Sequence, residues 1–296
     1  MQLFVNDLTV IDFSYLCPTR GIVGESWIVD VLLDGSLNEM SMVLDFAVVK
    51  KQIKAIIDDS VDHKLLLPTK HSDLTVSASK HQEDHQYVDF KSTRGAYYLQ
   101  SPSQAFAHID AESITIEAVT AHLQKVIKAQ LPENVEGLQL TLREEQIDTS
   151  YYHYTHGLKK HDGNCQRIAH GHRSKIQLFK DDVRCHQLEA DWCERWRDIY
   201  IASEDDRVSF DDIQLSTNAR AALEQDNTQH QYFAYQAPQG QFDIAVPNAV
   251  LDVVDCDSTV ELLADFVARQ LKKALPDSKI KVIGYEGVQK GAIASV

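Results

Sequence analysis

Apolar residues recur at helical spacing in four stretches of the chain. Phe46, Val49, Ile53, Ile56 and Ile57 lie on one face of a helix opened near Asp45, and Trp192, Trp196, Ile199 and Tyr200 mark another opened near Asp191. Thr115-Ile-Glu117 leads Val119, Leu123, Val126 and Ile127; Thr259-Val-Glu261 leads Leu263, Phe266, Val267 and Leu271. Each of the last two runs ends in Leu-Pro and is followed by an alternating, strand-like segment that carries a glutamate, Glu144 or Glu286. Before the first two helices stand two strand-like segments that follow a glycine, Gly24 to Val31 and Gly171 to Leu178.

These landmarks come twice, in the same order, roughly 145 residues apart, which is the signature of a tandem repeat. The expected division is 1–148 and 149–296. Each unit reads as strand, strand, helix, a polar and less regular segment (64–104 and 203–240), helix, strand. That makes the fold class α+β, an antiparallel sheet with a pair of amphipathic helices on one face. No Pro- or Gly-rich linker divides the units, so they are expected to join in one continuous sheet.

Composition narrows the function classes. A formal charge of −15 over 296 residues disfavours nucleic acid and anionic membrane as partners. No apolar run reaches the roughly 18 residues of a membrane span. The opening Met1-Gln-Leu-Phe-Val-Asn-Asp has neither the basic nor the apolar region of a signal peptide, so the cytoplasm is the expected compartment. Five scattered cysteines, none in a CxxC pair, give no disulfide framework. Positive charge gathers only over 156–175, where Lys159, Lys160, Arg167, Arg173 and Lys175 face one acid, Asp162.

The same stretch holds the chemistry. His170 and His172 flank Gly171 on a strand, so period two points both imidazoles to one face. His156, on the preceding strand, comes alongside across a hairpin. Three neutral imidazoles with a fourth position open describe a catalytic zinc site. Cys165 in the intervening loop is read as a thiolate base or nucleophile rather than a fourth ligand.

With these residues in view the chain resembles the 6-pyruvoyl-tetrahydropterin synthase and 6-carboxytetrahydropterin synthase family. The resemblance rests on His156, Cys165 followed after four residues by His170-Gly-His172, a following strand and helix, and Asp62-His63. It implies two tandem tunnelling-fold units that join into an oligomeric barrel, and hence a homo-oligomer. It implies Zn2+ on His156, His170 and His172, with Cys165, Asp62 and His63 catalytic. The pterin-anchoring glutamate falls on Glu286, or on Glu144 in the first unit, and Arg167 and Arg173 meet a triphosphate. The implied substrate is 7,8-dihydroneopterin triphosphate, a small molecule, and the product 6-carboxy- or 6-pyruvoyl-tetrahydropterin, with queuosine-precursor synthesis the preferred role by analogy. A zinc-hydroxide hydrolase of a related pterin and a non-catalytic pterin-binding or scaffold protein are the alternatives.

Aligning the units on the helix starts sets Asp62 and His63 against Val208 and Ser209, and aligning the glycine motifs sets His170 and His172 against Val23 and Glu25. The first unit would thus keep the Asp-His pair and the second the metal site, leaving one composite site.

Overall fold

The computed structural model describes residues 1–160 and 166–296. Long strands alternate with amphipathic helices, and the strands sort into three sheets. In the first half β1 (Gln2–Cys17) and β2 (Gly21–Gly35) form a long hairpin, followed by β3 (Leu65–Pro68), β4 (Leu74–Ala78), β5 (His85–Ser92), β6 (Gly95–Pro102), β7 (Phe106–Ile109) and β8 (Val135–Glu144). In the second half β9 (Tyr151–Leu158) and β10 (Arg167–Lys180) take the place of that hairpin. They are followed by β11 (Val183–Arg184), β12 (Ile199–Ser203), β13 (Arg207–Val208), β14 (His230–Ala237), β15 (Gly240–Pro247), β16 (Leu251–Val254), β17 (Ile280–Tyr285) and β18 (Gly291–Ser295).

The first sheet runs β7-β3-β1-β2-β8 and the second β16-β12-β9-β10-β17-β18, with β11 on the side of β10. The order of strand roles is the same in both. Helices pack on each. A π-helical turn at Val49–Ile53 separates α1 (Phe46–Val48) from α2 (Lys54–Ser60), which lies with α3 (Ile116–Lys128) on the first sheet. There Val49, Ile53, Ile57, Val119, Leu123 and Ile127 are fully buried, as their spacing predicts. The second sheet is covered by α4 (His186–Arg195) and α6 (Val260–Ala274), through Trp192, Leu263, Phe266 and Val267. Thr115 caps α3 by accepting from the Ala118 N–H, the role expected of a threonine just ahead of an apolar run.

Two expectations need correction. The segments expected to be irregular are rich in strand: β4, β5 and β6 from the first half and β13, β14 and β15 from the second build one six-stranded sheet. Their seam is the antiparallel pair β6–β15, with Leu99 opposite Ile244. These strands are short and carry many polar residues because only one face of each meets the main core, while α5 (Thr217–Gln225) covers part of the other. The main sheets, in contrast, do not run on into one another. They lie face to face, so the continuity predicted for the whole molecule exists only in the inserted hairpins.

Face-to-face contact is closest at two glycines. A Cβ on Gly24 would lie 1.9 Å from the Tyr154 carbonyl oxygen, and one on Gly171 would lie 2.4 Å from the Gly24 Cα. Beside them Ser14 Oγ and Thr155 Oγ1 are hydrogen-bonded at 2.8 Å. Only glycine allows two backbones this near.

Candidate active site

His156 and His170 stand directly opposite each other in the β9–β10 register, and His172 lies two residues further along the same face. All three are buried, and their ligand-capable nitrogens lie within 4.8 Å of one another. Burial, then the charge of His172, drives the pKa of His156 well below its usual value; burial likewise drives down that of His170. Both rings are therefore neutral, the form a metal ligand must take.

Several nitrogens of the cluster lack a hydrogen-bond partner. His156 Nε2, His170 Nδ1 and both nitrogens of His172 are buried without a hydrogen bond, which is costly unless something else satisfies them. Second-sphere groups fix the ring orientations. Ser258 Oγ donates to the Gly157 carbonyl at 2.7 Å, so it accepts from His156 Nδ1 at 2.9 Å and leaves His156 Nε2 with its lone pair free. Asp12 Oδ1 lies 3.2 Å from His172 Nδ1. The residues present fit a divalent cation of zinc's preference: three convergent imidazoles, with carboxylate and hydroxyl support behind them.

Asp62 and His63 arrive from the other half of the chain, just before β3. Asp62 Oδ2 is 2.7 Å from His63 Nδ1, and Asp62 Oδ1 accepts from the Asp12 backbone N–H at 2.8 Å. His63 is in the left-handed region, φ 57°, held there by its backbone N–H, which donates to the Asp12 carbonyl at 2.8 Å. Its ring stacks on His170 with centroids 4.6 Å apart and 9° between planes. Burial disfavours the His63 imidazolium, but the hydrogen bond and charge of Asp62, helped by Asp12, outweigh it and raise the pKa.

Glu286, in the turn between β17 and β18, brings Oε1 to 3.7 Å from His172 Nε2. From the same turn Lys290 Nζ donates to Asp12 Oδ2 at 2.9 Å. Asp12 is buried, which would raise its pKa, yet His172, Lys290 and Ser26 hold it well below the carboxylate range. An open cavity of about 530 Å³ fronts His63 and is lined by Asp62, Lys54, Lys64, Gln104 and Arg167 among others.

The sequence-derived residues thus divide in three. His156, His170, His172, Asp62, His63, Glu286 and Arg167 come together. Arg173 points elsewhere: it donates to the Glu145 carbonyl at 2.8 Å, lies 3.5 Å from Glu144 and stacks over Tyr151. Its odd position on β10, next to His172, puts it on the opposite face. Cys165 lies outside the described residues. Asp12, Ser258 and Lys290 join the site although they belong to no motif of the sequence. Asp12 left a trace in the sequence, an acid flanked by the apolar Val10, Ile11 and Phe13.

The strand pairing also corrects the repeat alignment at one point. Ser14 pairs with Leu65 of β3, and Thr155, its counterpart, with Tyr200 of β12. The residues equivalent to Asp62 and His63 are therefore Arg197 and Asp198, not Val208 and Ser209. The helix starts misled because α4 opens at His186 rather than near Asp191, with Ile199 and Tyr200 already in β12, and because the helical run before β3 is longer than α4.

A model of the family described as 6-pyruvoyl tetrahydropterin synthase matches residues 17–155. Over this stretch the chain is similar to that family. The match takes in Asp62 and His63 and ends one residue before His156. Over 56 residues the chain is 45% identical to a Methanocaldococcus jannaschii protein provisionally named a 6-carboxy-5,6,7,8-tetrahydropterin synthase. That alignment covers 18% of this chain and 34% of the relative, so the chain spans about a third of the length of the curated relative it matches. Among solved structures, a catalytic-residue mutant of Plasmodium vivax 6-pyruvoyltetrahydropterin synthase is 15% identical, with TM-score 0.39, over 48% of this chain and 90% of that one. The Plasmodium falciparum 6-pyruvoyl tetrahydropterin synthase is 11% identical, with TM-score 0.38 and the same coverage. Among the described residues no helix is long and apolar enough to cross a membrane.

Proposed function

We propose that the chain is a zinc-dependent pterin lyase acting on 7,8-dihydroneopterin triphosphate to give 6-carboxy- or 6-pyruvoyl-tetrahydropterin. One observation carries the reading: His63, paired with Asp62, stacks on His170 of a buried three-histidine cluster that leaves ring nitrogens without a hydrogen bond. A carboxylate-paired imidazole beside the cluster suits proton transfer at a second position, which favours the lyase reading over hydrolysis by a metal-bound hydroxide.

His156, His170 and His172 would hold the zinc, which when bound supplies Lewis acidity toward side-chain hydroxyls of the substrate. Asp62 orients His63 and favours its protonated form, so the ring is set to give or relay a proton at Nε2. Cys165, outside the described residues, is the proposed base. Glu286 would accept paired N–H bonds from the pterin ring, a task suited to a carboxylate. Lys54, Lys64 and Arg167 line the cavity before His63 and would meet the triphosphate.

The tandem division into 1–148 and 149–296, each a tunnelling-fold unit, is part of this proposal, as are a homo-oligomeric barrel, a cytoplasmic setting and a role in queuosine-precursor synthesis. The matching strand order of the two main sheets supports the tandem division. Metal analysis combined with incubation on dihydroneopterin triphosphate and identification of the product tests the function. Zinc-loaded protein that leaves this substrate intact would sink it.

A further inference from the structure

The repeat that supplies the candidate active site also leaves a second place where the same positions meet. Gly24 and Gly171 face each other, as do Ser14 and Thr155, so a pseudo-twofold axis passes between the sheets there. Counting outward along the paired strands, His156, His170 and His172 correspond to Tyr15, Val23 and Glu25, and Arg167 to Arg20. Asp12 corresponds to His153, and His63 to Asp198.

This second place is not a collapsed remnant. Asp198 keeps the left-handed backbone of His63, φ 53° against 57°, although neither is glycine. The acid–histidine contact is kept with its partners exchanged: His153 Nδ1 lies 3.7 Å from Glu25 Oε2, where the first site has Asp12 and His172 at 3.2 Å. Arg20 donates from Nε and Nη2 to Asp198, at 3.1 and 2.5 Å, and from Nη1 to Tyr15 Oη at 3.1 Å. A guanidinium therefore joins the equivalents of His63 and His156. Neither the three-histidine set nor the Asp–His pair recurs here.

Beside it opens a cavity of about 590 Å³. Five of its lining residues, Arg20, Cys193, Glu194, Arg197 and Asp198, occupy the positions of Arg167, Asp58, Asp59, Asp62 and His63 around the first cavity. The carboxylate has a counterpart too. Glu144 stands opposite Trp27, while Glu286 lies beside Ser174, the matching residue of β10, whose Oγ accepts from the Gly287 N–H at 3.0 Å. Tyr151 and Tyr152 add aromatic surface.

The second cavity has fewer cationic groups for phosphate: Arg20 and Arg197 line it, against Lys54, Lys64 and Arg167 in the first. Ile199 and Glu189 stand where the first site has Lys64 and Lys54, so both lysines are lost. Arg20 is held by Asp198 in a part-buried pair. We propose that this second pocket binds a pterin that carries no triphosphate, the kind of molecule left once that group has been eliminated, and holds it without converting it. The proposal rests on the pterin reading of the first site.

Neopterin, the dephosphorylated side-chain diol, is a suitable probe for equilibrium dialysis on the zinc-loaded chain. Two sites per chain are expected, one lost in Glu286→Ala and the other lost in Ala190→Phe, which fills the second cavity from α4. Retained turnover of dihydroneopterin triphosphate by Ala190→Phe shows that the variant is folded. A single site, untouched by Ala190→Phe, overturns the second pocket and leaves the lyase reading standing. No binding at all, with no turnover of the triphosphate, overturns the pterin reading and this inference with it.

Discussion

His63 lies flat against His170, ring on ring at 4.6 Å, although the two come from opposite halves of the chain. A candidate metal-binding imidazole and a carboxylate-paired imidazole thus meet within a single chain. Because the contact is intrachain, mixing His63→Ala with His170→Ala protein should restore no activity. Recovered turnover in the mixture would mean that the two groups are supplied by different chains.

Removing His63 should cost the proton and not the metal. His63→Ala is expected to lower turnover by ~10²- to 10⁴-fold, the usual range for a general acid or base. Bound zinc should stay at the wild-type level, measured by atomic emission. Zinc loss in parallel with activity would assign the ring a ligand role instead.

Asp12→Asn should weaken metal binding without touching a ligand. Asp12 backs His172 and is itself held by Ser26 and by Lys290. Loss of such a supporting carboxylate typically lowers metal affinity by ~10- to 100-fold. Competition with a chromogenic chelator measures this, and an unchanged affinity would remove Asp12 from the metal's support.

Glu25 makes stability depend on pH. Burial, with the Glu144 charge adding to it, pushes its pKa up to about 8 from 4.5, so the folded chain holds a proton that the unfolded chain releases. The folded state therefore binds more protons between these values, and stability falls as pH rises through that window. Glu25→Gln should melt higher than wild type at pH 8, with the gap closing toward pH 5. A gap that is constant with pH would show that Glu25 is ionised in the fold.

Gly24→Ala should be severe, since the added Cβ meets backbone atoms of Tyr154 and His172 at 1.9 and 2.5 Å, which no side-chain rotation can relieve. A loss of ~3 kcal/mol or more is expected, at the upper end for overpacking. Gly284→Ala, whose Cβ would find Ala264 at 3.4 Å, is the tolerated control. Urea melts of the two variants make the comparison.

Much of this was legible in the sequence because it depends on short-range periodicity. The HxH pair on β10, its register with His156 and the apolar faces of α3 and α6 all follow from spacing two or spacing three to four. The rest depends on pairing between distant segments. Nothing local in Gly95-Ala-Tyr-Tyr-Leu-Gln says that it will join Phe242-Asp-Ile-Ala across the middle of the chain. The equivalence of His63 with Asp198 was hidden for a related reason: helices of unequal length shift the numbering, and only the strand register restores it.

The seam between β6 and β15 bears on how the candidate site behaves on dilution. It stitches the two halves together with backbone hydrogen bonds beside a buried network in which Gln100 Nε2 donates to Asp243 and Gln214 at 3.0 Å. A site assembled from two separate chains loses occupancy as those chains are diluted. Here the meeting of His63 with the histidine cluster is a first-order event, its effective concentration set by the fold and not by the amount of protein present.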